Sequence, residues 1–303
     1  MTKGPIKNIA ASVRQRLANV AKAADRQFSD VLQYYALERW LFRLSQSTYR
    51  DQFVLKGALL FVVWKIPTTR PTRDIDLLGR LSNDLEAIRG VIAAVCQTQV
   101  EEDGLAFDAT SVVTERITED ADYEGVRATF NARLGTARIG MQIDIGFSDV
   151  ITPAASKINY PTILDSPSAE LFAYNRETAI AEKFEAMVKL GELNSRMKDF
   201  FDVATLAAHF DFEGEPLAAA IRATFEQRQT PIESDPICFS NRFASDAAKI
   251  AQWKAFVRRS MLANVPAFAI VLPSVRSFLQ PIALRLANRE SFKQQWKRGG
   301  SWQ

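Results

Sequence analysis

Histidine is nearly absent from this chain, with His209 alone among 303 residues. Histidine-dependent triads and most zinc sites are thereby out of contention. Cysteine is almost as scarce. Cys96 and Cys238 stand far apart, which excludes a disulfide scaffold and fits a reducing compartment. No charge of one sign dominates either: 38 Lys and Arg face 35 Asp and Glu, a net +3. Bulk charge therefore argues neither for nor against a nucleic-acid partner. Without an uninterrupted run of ~18 apolar residues, no spanning helix is expected. The N-terminus lacks the apolar core of a secretory signal, so the expected location is the cytoplasm, with no membrane partner. Internal repeats and low-complexity segments are missing too. Chemistry is left to carboxylates, Lys and Arg.

What is present is an ordinary globular composition, 47% hydrophobic and 24% charged, with length enough for two lobes. The informative stretch is residues 53–79, FVLKGALLFVVWKIPTTRPTRDIDLLG. Residues 53–55 read as a buried strand, Lys56-Gly57 breaks it, and 58–64 has the length of two helical turns. A Pro- and Thr-rich connection over 67–72 leads into an alternating strand at 73–78. That strand sets Asp74 and Asp76 on one face, Ile75 and Leu77 on the other. Carboxylates two residues apart on a strand lie roughly 6–7 Å apart, a spacing that can grip one or two divalent cations. Asp is disfavoured inside strands, and a glycine turn that can present N–H groups to an anion precedes this pair. An anion cradle beside a metal-binding carboxylate pair is what phosphoryl or nucleotidyl transfer requires.

Elsewhere, helical spacing predicts a surface helix through Ile9, Val13, Leu17, Val20 and Ala24. It also predicts a packing helix over 33–46 and a third helix over 83–97. Short strands are expected at 107–110, 112–118 and 125–134, with acidic turns near 101–104 and 119–120. Residues 137–147, ARIGMQIDIGF, alternate as a strand and project Asp144 with Gln142, a third carboxylate for an acidic cluster. Residues 157–168, with Pro161 and Pro167, read as a linker. Beyond it, 177–190 is a helix whose buried stripe of Ile180, Phe184, Met187 and Val188 includes Lys183. A lysine on an inner face is costly to bury unpaired, so it is expected to point at a cleft or an anion. Gly191 ends that helix and Asn194-Ser195 caps the next. There Arg196 is expected to pair with Asp199, and Lys198 with Asp202.

The blocks KGALLF, PTRDIDLLG, QIDIGF, AEKFEAMVKLG and NSRMKDFFDVATL, in that order over residues 34–208, resemble the AbiEii/AbiGii toxin family of nucleotidyltransferases. That family belongs to the polymerase-beta-like superfold. The resemblance implies an α+β fold: a nucleotidyltransferase lobe with a mixed sheet flanked by helices over 1–160, and a mainly helical lobe over 161–303. It gives Lys56, Gly57, Ala58 and Arg73, with Arg196 and Lys198, to nucleotide binding. Asp74, Asp76 and Asp144 fall to metal binding, and Asp74, Asp76, Lys183 and Asp199 to catalysis, Asp199 ahead of Asp202. Ala58 has no hydroxyl, so backbone N–H groups must serve the phosphates. Hard carboxylate ligands favour Mg²⁺, two ions, with an NTP as co-substrate.

By the same resemblance the protein would be a bacterial toxin of a type IV toxin–antitoxin or abortive phage-infection system. Its partners would be a separately encoded AbiEi-like antitoxin, without a stable complex, and an RNA acceptor, the 3′ end of tRNA. The C-terminal third interleaves Arg258, Arg259, Arg276, Arg285, Arg289, Lys293, Lys297 and Arg298 with Trp253, Phe256, Phe292 and Trp296, a mixture that suits RNA. Two alternatives stay open: a transferase that modifies a protein or small molecule, and a catalytically silent nucleotide-binding regulator.

Overall fold

In a computed structural model of the chain, residues 8–67, 70–119 and 123–303 are described. Helix α1 (Ile9–Ala23) starts where the Asn8 side chain accepts the Ala11 N–H, and it buries Val13, Leu17 and Ala21. Helix α2 (Phe28–Gln46) begins earlier than its periodicity suggests and is buried nearly all round from Val31 to Ser45. Then come β1 (Phe53–Lys56), a 3-10 turn at Gly57–Leu59, the short α3 (Leu60–Val63) and β2 (Asp74–Gly79). Helix α4 (Leu85–Cys96) is capped by Asp84, which accepts the Ala87 N–H.

Three long strands follow, β3 (Leu105–Glu119), β4 (Tyr123–Leu134) and β5 (Ala137–Phe147). The two short strands expected at 107–110 and 112–118 are one strand with a register shift between Asp108 and Val113. Asp108 causes the interruption: its carboxylate takes the Thr110 N–H and hydroxyl, while its carbonyl takes the Ser111 hydroxyl. Residue 120 of the expected acidic turn, like residues 68 and 69, lies outside the described residues. The expected linker at 157–168 contains β6 (Ser156–Asn159), which pairs with β7 (Glu170–Ala173). Its prolines fall in the connection between these strands, where no ladder hydrogen bond is lost.

All seven strands form one mixed sheet in the order β3-β4-β5-β2-β1-β7-β6, with β2–β5 and β1–β7 parallel. Helix α2 packs against β5 and β7 and carries a polar cluster into the core. Arg39 and Arg43 both bind the Asp103 carboxylate, at 3.0 and 2.6 Å. Burial works against that charge, but the guanidiniums of Arg43 and Arg39 outweigh it and hold Asp103 below the usual carboxylate range. Asp103, read from sequence as part of an acidic turn, is buried with Arg39 and Arg43, whose charges neutralise it.

Two compact units divide the chain. The first, Met1–Lys65, Pro71–Ser148 and Ser156–Ala173, holds the sheet; the second is Ile66–Arg70, Asp149–Ala155 and Tyr174–Gln303. The first unit includes β7, which is a ladder partner of β1. The second unit contains α5 (Arg176–Leu190), α6 (Met197–His209), β8 (Phe212–Glu213), α7 (Gly214–Gln227), α8 (Asn241–Ser245), α9 (Ala247–Arg259), α10 (Phe268–Ala287) and β9 (Gln295–Trp296). Helix α10 is long and apolar enough to cross a membrane. Within its unit it buries Val271, Val275, Phe278 and Ile282 at helical spacing, as a core helix does. Phe278 stacks on Trp302 at 5.6 Å and meets Trp296 at 4.9 Å. The fold is therefore the expected α+β arrangement of a sheet-bearing unit and a mainly helical one.

Candidate active site

The sheet gathers three carboxylates. Asp76 on β2 is the register partner of Asp144 on β5, and Asp74 of Gln142. One oxygen each from Asp74, Asp76 and Asp144 all lie within 4.8 Å of one another. The alternation seen in the sequence brings Ile75 and Leu77 to the core on the opposite face. An all-oxygen donor set of this kind fits a hard divalent cation, and the absence of His or Cys among its members disfavours zinc.

Gly57 explains how the turn after β1 comes so close. Its φ is +75°, and a Cβ there would fall 1.9 Å from Asp76 Oδ2. Only glycine satisfies both the left-handed backbone and the contact. Lys56, buried at the end of β1, is the cross-strand neighbour of Asp76. Ala58 is buried and Arg73 exposed, so the expected nucleotide-binding residues differ in their access to solvent. The Thr72 hydroxyl bonds Asp74 Oδ1, and its N–H donates to the Tyr34 hydroxyl at 3.1 Å, fixing the entry to β2.

Sequence reasoning missed Arg127. On β4 it is the register partner of Asp144; its Nε donates to Oδ1 and its Nη2 to Oδ2, each at 2.8 Å. Alternation along β4, with Val126, Ala128, Phe130 and Ala132 buried, places Arg127 on the polar face. The partner strand that makes this matter is set by the sheet order alone.

The second unit assembles the other expected residues. Lys183 on α5 lies 3.1 Å from Asp199 Oδ1 and 2.8 Å from Asp202 Oδ2, both on α6. Its anion is thus internal. Arg196 Nε donates to Asp199 Oδ2 at 2.7 Å, as expected. Lys198 is exposed instead of paired with Asp202, because Asp202 already holds Lys183 and Arg70, whose Nε is 3.1 Å away. Arg70 had no signal in the sequence beyond its place before β2. Asp199 and Asp202 are fully buried. Burial raises the pKa of such carboxylates, yet Lys183 and Arg196 for Asp199, and Arg70 and Lys183 for Asp202, hold both below the usual range. Lys183 in turn is raised: burial opposes its charge, but Asp202 and Asp199 prevail. The cap of α6 is also shifted, since Asn194 Oδ1 accepts the Arg196 N–H at 2.8 Å.

In the C-terminal third the eight basic residues are exposed or half-buried, but Trp253, Phe256, Phe292 and Trp296 are core residues. They offer no face on which a base can stack: Trp253 and Phe256 lie on the inner side of α9, and Phe292 and, on β9, Trp296 pack against Trp302. The expected interleaving on one surface is therefore not formed.

Comparison with known proteins gives one family. The model described as nucleotidyl transferase AbiEii toxin, type IV TA system, matches residues 39–281. Among solved structures, MenT4, a nucleotidyltransferase toxin from Mycobacterium tuberculosis H37Rv, is similar at 12% identity and a TM-score of 0.50, covering 89% of this chain and 98% of its own. JHP933 from Helicobacter pylori is similar at 13% identity and a TM-score of 0.45, over 83% and 89% of the two chains. At 12% identity the likeness to MenT4 reports the fold alone. No match was found among curated proteins.

Proposed function

The chain belongs to the AbiEii nucleotidyl transferase toxins of type IV toxin–antitoxin systems, and from that premise we propose that it transfers a nucleoside monophosphate from an NTP to an RNA acceptor, the 3′ end of tRNA. Its enzyme class, nucleotidyltransferase, comes with the family, as do an NTP substrate and an antitoxin partner. The observation that supports metal-assisted transfer is the carboxylate triad converging within 4.8 Å against a positive-φ glycine. Asp74 and Asp76, with Asp144 beside them, are the residues that would hold Mg²⁺, as two ions. Bound there, Mg²⁺ would polarise the phosphoryl oxygens and lower the pKa of the attacking hydroxyl.

In the reaction the acceptor oxygen forms a bond to Pα and the Pα–O bond to the β-phosphate breaks. Pyrophosphate leaves, and the hydroxyl proton passes to solvent. Gly57 keeps the turn close enough for the backbone at Lys56–Ala58 to face the phosphates, and Arg73, exposed at the start of β2, offers a cation to them. In the helical unit, Asp199 and Asp202 fix the Lys183 ammonium, and Arg196 and the exposed Lys198 present cations to anionic substrate groups. The setting we propose is a cytoplasmic phage-defence toxin countered by an AbiEi-like antitoxin without a stable complex.

The test is transfer of label. Purified protein is incubated with Mg²⁺, each α-labelled NTP in turn and total tRNA, beside an Asp74→Ala control. Label on tRNA with one NTP, lost in the variant, is the expected result. Label on the protein itself, or none on tRNA with any NTP, would remove RNA as the acceptor. Induction should arrest growth in a manner that Asp74→Ala abolishes.

A further inference from the structure

The three carboxylates are part of a longer row. Register partners run across the sheet as Lys56 on β1, Asp76 on β2, Asp144 on β5, Arg127 on β4 and Glu115 on β3. Directly opposed residues on adjacent strands share a face, so the row reads cation, anion, anion, cation, anion. Two adjacent anions in its middle repel unless something neutralises them. In the structure Asp144 is neutralised from the β4 side.

That neutralisation uses the whole carboxylate. The Arg127 guanidinium takes both oxygens at 2.8 Å, and the Gln142 amide lies 3.2 Å from each. A carboxylate offers about four lone-pair sites, and this fork with its amide neighbour addresses both oxygens at once. Arginine keeps its charge at any physiological pH, and its planar fork matches a carboxylate. A cation that would use Asp144 must therefore take it from Arg127. The Arg127 side chain is one-third exposed, against 10% for Asp144, and the next residue of its row is Glu115, an exposed carboxylate. It has room to leave and a second anion beside it.

We propose that Arg127 is the resident counter-ion of Asp144 in the acidic cluster: it competes with the divalent cation for that carboxylate, which joins the ligand set only when the guanidinium lets go. This rests on the metal-binding reading of the triad and adds to it a positioning residue outside the ligand set. The experiment is direct binding of Mn²⁺ to the intact chain without nucleotide, followed by electron paramagnetic resonance, in the parent, Arg127→Met and Arg127→Lys. Competition predicts that Arg127→Met binds Mn²⁺ roughly tenfold more tightly. Arg127→Lys, which keeps the charge but loses the fork, should fall between. Adding Asp144→Asn to Arg127→Met should cancel the gain. A residue that merely oriented Asp144 would give the opposite sign, about a 10–100-fold loss on removal. That loss, or unchanged binding, overturns the proposal. Should Arg127→Met fail to fold, the charge-preserving Arg127→Lys carries the comparison by the same sign. If the parent itself takes up no Mn²⁺, and Asp74→Asn makes no difference, the metal-binding reading falls together with the proposal. Binding that simply ignores Arg127 overturns the proposal alone.

Discussion

At Gly57 a single missing methyl group decides the geometry of the acidic cluster. A Cβ at this position would lie 1.9 Å from Asp76 Oδ2 on a backbone with φ +75°. Gly57→Ala should cost about 1–2 kcal/mol from the left-handed backbone alone. It should also lower nucleotide transfer by about 100-fold, since displacing a reacting group by an ångström has an effect of that order. Transfer assays beside urea unfolding separate the two; full activity in a destabilised variant would remove Gly57 from the site. Glu38 makes a different case. One oxygen accepts the Ile163 N–H at 2.7 Å, while the other stays 3.8 Å from Arg39 Nη1. Burial pushes its carboxyl from 4.5 up to about 7, against the pull of the Ile163 N–H and Arg39. Because the folded pKa is the higher one, the folded state binds more protons between about 4.5 and 7. Stability tied to Glu38 is thus greatest below that window and falls as pH rises through it, by on the order of 3 kcal/mol. Glu38→Gln mimics the protonated form, so it should match the parent at low pH and exceed it near pH 8. Parallel stability–pH profiles for the two proteins would exclude this.

Between elements, the decisive contact in the helical unit is the one that fastens α5 to α6. One ammonium, Lys183, is shared by two buried carboxylates, with Arg196 on the first and Arg70 on the second. Removing one partner of a buried ion cluster costs about 3–5 kcal/mol, because the charge left behind is uncompensated. Lys183→Met should therefore destabilise by that amount in denaturant unfolding as well as abolish transfer. Lys183→Arg should recover part of the stability, since the charge returns in a different shape. A Lys183→Met variant that keeps parental stability would show that the lysine is not what balances Asp199 and Asp202.

Over the whole molecule, these networks set the acid limit. Asp103 in the sheet-bearing unit and Asp199 and Asp202 in the helical one all have pKa values below their ordinary range, held there by arginine or lysine against the effect of burial. A depressed folded pKa contributes stability that is complete above the unfolded value of about 3.9 and lost as pH falls through the folded one. The protein should hold its fold down to about pH 4 and unfold cooperatively below it. Lys183→Met should move that transition upward, because its loss lets both carboxylates protonate sooner. Circular dichroism against pH reads the midpoint, and an unchanged midpoint would show that other groups control acid unfolding.

Alternation and helical spacing depend on which residues are apolar, so they determined the elements directly. Residues 137–147 are β5 to the residue, the predicted strand at 73–78 is β2 displaced by one, and Gly191 ends α5 with φ +49° as a C-terminal glycine does. The spacing of Asp74 and Asp76, the projection of Asp144 and the inward turn of Lys183 were legible for the same reason. A sequence carries period but not neighbours. Strand order placed Arg127 against Asp144 and Lys56 beside Asp76, and no local pattern encodes a strand order. The partner of Lys183 was likewise a tertiary choice, two carboxylates one helix away instead of an open cleft. Aromatic residues between arginines in the C-terminal third looked like an RNA surface because composition does not distinguish the buried side of an element from the exposed one. Packing did, by burying Trp253, Phe256, Phe292 and Trp296, since moving apolar rings out of water is favourable and depends on which neighbours can cover them.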